Sequence, residues 1–263
     1  MLKTNQLQVA IYQYQARSEN PGQRLQRLEG ALRQLGISGA DLLVCPELFL
    51  SGYNVGNRIA DWSEPSSGLF AGKVAELAKR WQTAILYGYP EEEGGNRYNA
   101  AQCIGKDGGR LANHRKLALP GKFEKKWFST GSNLTLFELH GWKIAVLICY
   151  DAEFPEAARA CAQNGADLIV VPTALKDNWG VVAHRVIPAR AFENGLFLIY
   201  ANYAGQEGDW RYLGNSCVVS PTGEDIVRGS ENEQVLTATL DCQQIQKARE
   251  ILPYLDDLAK LPE

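Results

Sequence analysis

Clustered metal ligands are what this chain most plainly lacks. Only three histidines, at 114, 140 and 184, occur in 263 residues, and they lie far apart. The six cysteines, 45, 103, 149, 161, 217 and 242, stand singly with no CxxC pair. Zinc sites and disulfide frameworks both need closer groupings, so neither a metal nor a cofactor is expected, and a reducing cytoplasm is the expected compartment. Charge of one sign is missing too: 27 Lys and Arg against 30 Asp and Glu leave a net −3. With no basic stripe and no polybasic anchor, nucleic acid and membrane are not expected partners. The N-terminal MLKTNQLQVAIYQYQ alternates briefly and stops well short of signal-peptide or membrane-span length, so it reads as a first strand.

What is present is an ordinary globular composition, 45% hydrophobic and 22% charged, whose length suits one large α/β domain over 1–263. Predicted strands and helices alternate along most of it. Leucines 25, 28, 32 and 35 recur at helical spacing after the turn-prone Asn20-Pro21-Gly22. Further helices are predicted over 68–81, 155–164 and 179–194, the last bent at Pro188. Long irregular loops are expected after Glu47 and after Lys116, and a polar-aromatic loop over 203–213.

Three strand ends organise the functional reading. The apolar run Leu42-Leu43-Val44-Cys45 is stopped by Pro46 and leaves Glu47 at its edge. A hairpin over 97–116 ends in Lys116, and Ile144 to Ile148 runs into Cys149 just before a helix start near Pro155. Were the three strands in one sheet and parallel, their ends would share a rim, where α/β proteins gather their ligands. Each residue alone has a plainer reading, since a lone cysteine is more often a small buried hydrophobe and a strand-end lysine is usually solvated. Together they form a set. A thiol is mostly protonated at neutral pH, so it needs a base or a neighbouring cation. Glu47 is suited to the first task and Lys116 to the second, and with no histidine required the natural chemistry is acyl transfer from an amide.

The segments LLVCPELFLSGY, HRK and LICYDAEFPE, in that order, resemble the three signature segments of the nitrilase superfamily, the carbon-nitrogen hydrolases. The likeness continues through ILYGYPE, LIVVPTA, PARAFENGLFLIYANY and PYLDDL, and within the superfamily it is nearest to bacterial aliphatic amidases of the 5-aminopentanamidase and stereoselective-amidase kind. The resemblance implies an α/β fold arranged as a four-layer αββα sandwich, with Cys149 as nucleophile, Glu47 as general base and Lys116 supporting the tetrahedral intermediate. It implies a second catalytic glutamate, assigned to Glu124 in KFEKKWFSTG, an oxyanion N–H from Tyr150, and a homodimer or higher homo-oligomer. The chain departs from the pattern after Lys116, where Leu-Ala-Leu-Pro-Gly-Lys places Lys122 at a position often held by an acid.

Substrate is read from the same stretch. Relatives acting on amides of dicarboxylic acids tend to carry Arg where this chain has Glu153, and an acid there favours an ammonium over a carboxylate. The expected substrate is a small aliphatic amide with a neutral or cationic tail, such as 5-aminopentanamide; capping of the helix near Pro155 is the competing role for Glu153. Tyr53, Asn54, Trp179 and Trp210 are candidate pocket walls, and for Asp151 and Arg190 a structural ion pair and a direct role at the site stand as equal readings. An N-carbamoyl amine hydrolase, a nitrilase and an inactive binding or scaffold protein of the same fold are the alternatives.

Overall fold

The computed structural model describes residues 4–258 and 260. Its first half runs β1 (Gln6–Gln13), β2 (Gln15–Ala16), α1 (Pro21–Leu35), β3 (Leu42–Val44), α2 (Arg58–Asp61), α3 (Leu69–Trp81), β4 (Ala84–Glu93), β5 (Asn96–Ile104), β6 (Arg110–Arg115) and α4 (Gly121–Trp127). The second half runs β7 (Thr135–Leu139), β8 (Trp142–Val146), α5 (Pro155–Gln163), β9 (Leu168–Pro172), α6 (Ile187–Phe192), β10 (Phe197–Ala201), β11 (Ala204–Glu207), β12 (Trp210–Arg211), β13 (Cys217–Val219), β14 (Asp225–Arg228), β15 (Gln234–Asp241), α7 (Cys242–Ile251) and α8 (Tyr254–Leu258).

Two six-stranded sheets result, ordered β15-β1-β3-β4-β5-β6 and β14-β13-β10-β9-β8-β7. Each has a parallel centre, β1-β3-β4 in the first and β8-β9-β10 in the second, flanked by antiparallel strands. The central strands are apolar on both faces because both faces are covered. Along β8, Ile144 and Val146 pack toward the first sheet with Val9, Val44 and Leu86, while Ala145 lies with Ala158 and Cys161 of α5. On the outer face of the first sheet, Leu28 and Leu32 of α1 and Val74 of α3 cover Leu43 and Ile85. The layers are therefore αββα. Helix α1 starts where local chemistry requires it: Asn20 and Gln23 cap one another reciprocally and Pro21 occupies the first turn.

Three expectations are corrected. The strand that delivers Cys149 belongs to the second sheet, whereas those delivering Glu47 and Lys116 belong to the first, so the three ends meet across the sandwich instead of along one rim. The loop after Lys116 contains α4, and the 203–213 loop contains β11 and β12, which with β2 make a three-stranded sheet. The helix expected over 179–194 is present as one run over 180–192, but it is not uniform: a 3₁₀ turn (Asp177–Trp179) leads into it and a π turn (Val182–Val186) is set within it. Pro188 stands two residues past that π turn, where the i→i+5 register, with Ile187 N–H donating to the Val182 carbonyl, accommodates the N–H that proline lacks. Among the described residues no helix is long and apolar enough to cross a membrane.

Candidate active site

The two ends of the first sheet are pressed into place by glycines. Beyond β3 the chain turns sharply at Glu47, and Leu48 takes φ +48°. The turn lies so close to β4 that a Cβ on Gly88 would stand 2.2 Å from the Leu48 nitrogen. Lys116 follows β6 and continues its pairing, its N–H donating to the Asn99 carbonyl at 2.8 Å. Its own carbonyl accepts from Gly131 N–H at 2.7 Å, and a Cβ there would meet the Arg115 carbonyl oxygen at 2.3 Å.

These backbones aim three fully buried charged side chains at one another. Lys116 Nζ lies 2.7 Å from Glu47 Oε1 and 2.5 Å from Glu124 Oε1, the latter delivered by α4. Asn99 Nδ2 donates to Glu47 Oε1 at 2.7 Å and to Glu124 Oε2 at 3.4 Å, and the Tyr53 hydroxyl donates to Glu124 Oε1. Burial would lower the Lys116 pKa, but Glu47 and Glu124 outweigh it and raise it, so the ammonium stays charged. Burial raises Glu47 to about 7, with Glu124 adding to the rise and Lys116 opposing it. Glu47 Oε2 is buried and has no hydrogen-bond partner.

The second sheet meets this cluster at Cys149. The residue sits at φ +48°, a left-handed conformation rare for a side chain with a Cβ, at the start of a 3₁₀ turn over Cys149–Glu153. Tyr150 lies in that first turn, where backbone N–H groups have no partner within the helix. Asp151, buried, holds the elbow to the end of β6: its carboxylate accepts from the N–H groups of Ile148, Leu117 and Ala118. It does not pair with Arg190, whose guanidinium donates to the carbonyls of Ala152 and Glu153 and to the Glu193 carboxylate. Cys149 keeps 9% of its surface exposed, whereas Glu47, Lys116 and Glu124 keep none. Burial and the Glu47 charge raise the thiol pKa above its ordinary value, against Lys116, the Thr173 hydroxyl and the Ala174 N–H, which lower it. The resting sulfur is protonated.

A thiol, a carboxylate with one free oxygen and a fixed ammonium form an arrangement for nucleophilic attack with proton transfer. The carbon-nitrogen hydrolase family model matches residues 8–250. The chain belongs to the carbon-nitrogen hydrolase family. It is 44% identical over 254 residues to a hydrolase encoded in the pqqF 5′ region of Pseudomonas protegens, covering 95% of this chain and 88% of that protein. It is 31% identical to an (R)-stereoselective amidase from a Pseudomonas species, covering 95% and 91%. An amidase structure from Nesterenkonia superposes with a TM-score of 0.84 at 32% identity, covering 94% of this chain and 95% of that one. The sandwich is thus the nitrilase-superfamily fold.

In this carbon-nitrogen hydrolase the structure brings Glu47, Lys116, Glu124 and Cys149 together and distributes the other candidates around them. Tyr53, Phe123 and Trp210 form a three-ring cluster with centroids 5.3–5.5 Å apart beside Glu124. Asn54 is taken up elsewhere: its amide donates to the Glu207 carbonyl and Asp209, and its N–H to the Glu207 carboxylate. Trp179 stands at the surface, 55% exposed. Glu153 is half-buried, its pKa raised by burial and held back by Lys116 and Arg190, and its carboxylate accepts no hydrogen bond among the described residues. Sequence reading missed Asn99, Thr173 and Tyr200, which look like ordinary strand residues. It also missed Glu207, a buried carboxylate that pairs with buried Arg24 and gathers the N–H groups of Tyr53 and Asn54. Among the described residues no group of three or more His, Cys, Asp or Glu is placed to hold a metal ion.

Proposed function

We propose that this protein is an amidase that hydrolyses a small aliphatic amide to carboxylate and ammonia through a thioester on Cys149. The observation that carries the reading is the division of labour within Glu47. One oxygen is fixed by Lys116 and Asn99, the other is buried and unpartnered, and the Glu47 charge bears on the Cys149 thiol. A carboxyl raised to about 7 is a base matched to neutral pH. Glu47 takes the thiol proton as sulfur attacks the amide carbon, and Lys116 with the Tyr150 N–H stabilises the charge on the carbonyl oxygen. The proton passes from Glu47 to nitrogen, the C–N bond breaks and ammonia leaves. Glu47 then deprotonates water, which attacks the thioester; the C–S bond breaks and the proton returns to sulfur. Glu124 acts as the second catalytic glutamate by holding Lys116 charged and in place.

The known proteins support a small acyl group. In a glutamate-to-glutamine mutant of the Nesterenkonia amidase the acetamide moiety of fluoroacetamide adds covalently at the active-site cysteine, which supports a site that admits a small amide. For the tail, the unpaired Glu153 carboxylate favours a neutral or ammonium-bearing amide such as 5-aminopentanamide. Assembly as a homodimer or higher homo-oligomer is also proposed, supported by exposed apolar side chains in the second half, among them Phe154, Leu252 and the edge-to-face pair Phe192 and Tyr254.

The test is ammonia release from 5-aminopentanamide, propionamide, a glutaramate, a carbamoyl amine and a nitrile, with mass spectrometry of the trapped enzyme. Expected are turnover of the first two and an acyl adduct on Cys149. Preference for the glutaramate would overturn the substrate assignment, and a missing adduct on Cys149 would overturn the mechanism.

A further inference from the structure

Cys149, Thr173 and Tyr200 stand on three neighbouring parallel strands of the second sheet, at the end of β8, just past β9 and within β10. Thr173 and Tyr200 are both fully buried. The Thr173 hydroxyl donates to the Tyr200 oxygen at 3.0 Å. The register of the two strands sets Thr173 beside Cys149: Val146 pairs with Val170 and Leu147 N–H donates to the Val170 carbonyl, so three residues further on each chain Thr173 and Cys149 stand level, and the Thr173 hydroxyl acts on the thiol. Its backbone is pinned from both sheets, accepting from Glu47 N–H at 3.4 Å and donating to the Ala201 carbonyl at 2.8 Å. Only the hydroxyl proton is free to swing, and one proton cannot serve both neighbours at once.

We propose that Thr173 is a further catalytic residue, donating its hydroxyl proton to the Cys149 thiolate while Tyr200 donates to Thr173 in turn. In the resting enzyme Thr173 gives its proton to Tyr200 across the 3.0 Å contact between the two oxygens. When Glu47 removes the thiol proton the two hydroxyls rotate, giving Tyr200 O–H to Thr173 Oγ1 and Thr173 O–H to the sulfur. No proton changes owner in this rotation; two hydrogen bonds reverse direction. The same chain receives the sulfur again when the thioester C–S bond breaks. A hydrogen bond to an ionised group is stronger than one between neutral groups, so the chain favours the thiolate over the thiol. The other groups bearing on the sulfur are Glu47 and Lys116 from the first sheet and Tyr53 from the loop after Glu47, while Glu153 bears on Tyr200.

This inference rests on Cys149 being the nucleophile, and its test reads the thiol without turnover. The rate of iodoacetamide alkylation of Cys149 is measured against pH for the full-length wild type, Thr173→Val, Thr173→Ser, Thr173→Ala and Tyr200→Phe. Loss of a hydrogen bond to a charged group predicts that Thr173→Val slows alkylation at pH 7 by about tenfold or more and moves the profile to higher pH. Thr173→Ser should restore it, and Tyr200→Phe should produce a smaller shift in the same direction. Wild-type profiles in Thr173→Val would overturn the proposal. If that variant does not fold, unchanged profiles in Thr173→Ala and Tyr200→Phe would overturn it equally. An unshifted profile with normal amide turnover sinks the relay alone; a shifted profile in an enzyme that forms no acyl adduct sinks the amidase reading and leaves the relay.

Discussion

On either side of the interface between the two sheets, the groups that meet at the site differ in kind. From the first sheet and the helix after it come Glu47, Lys116 and Glu124, all ionisable, with Asn99 bridging the two carboxylates. From the second come Cys149, Thr173 and Tyr200, a thiol and two hydroxyls. The backbones differ as well. Gly88 and Gly131 let neighbouring chain press against the Glu47 and Lys116 positions, while Cys149 keeps its Cβ and holds a left-handed φ of +48°. The difference follows from the cost of burying charge. An isolated buried ion is expensive, so Lys116 is kept between two carboxylates and the cluster stays close to neutral. On the proposed mechanism the sulfur then faces a fixed charge array instead of forming part of an ion pair, and it ionises when Glu47 acts on it as base.

The largest effects should come from removing one partner on each side. Cys149→Ala is expected to abolish turnover, and Glu47→Gln to do the same while leaving Cys149 present; ammonia release measures both. Substantial turnover in the Glu47 variant would mean that the thiol ionises unaided and that the two sheets do not divide the work this way. In the wild type the base must be unprotonated, so the rate of acylation should fall as pH drops through about 7, the value to which burial raises Glu47. A limb tracking the unperturbed carboxylate range instead would break the contrast.

Lys116→Ala should cost roughly 10²–10³-fold in kcat, the loss typical of one oxyanion donor. A mere change in KM would show that the ammonium binds substrate and does not act on the transition state. Tyr53→Phe is the mildest test: it removes a hydrogen bond to Glu124 and leaves the ring cluster, so a loss of about tenfold or less is expected. No change in kcat would place Tyr53 with the pocket walls alone.

That Glu47, Lys116 and Cys149 lie at strand ends was legible from the residues alone, because the signals are local. Pro46 cannot extend a ladder, β-branched apolar runs favour strands, and Asn20 with Pro21 and Gln23 writes out a helix start. Only the tertiary structure decided that the Cys149 strand lies in the opposite sheet, because pairing joins residues far apart in the chain and leaves no local trace. The same reason hides the bridging role of Asn99, the tie from Asp151 to Leu117 and Ala118, and the hydroxyl pair of Thr173 and Tyr200. Helix α4 is seven residues long with no side-chain cap at its start, so Glu124 was legible by family likeness and not by helical period. Residue types set which groups are available for chemistry; the packing of one sheet on the other decides which of them share a proton.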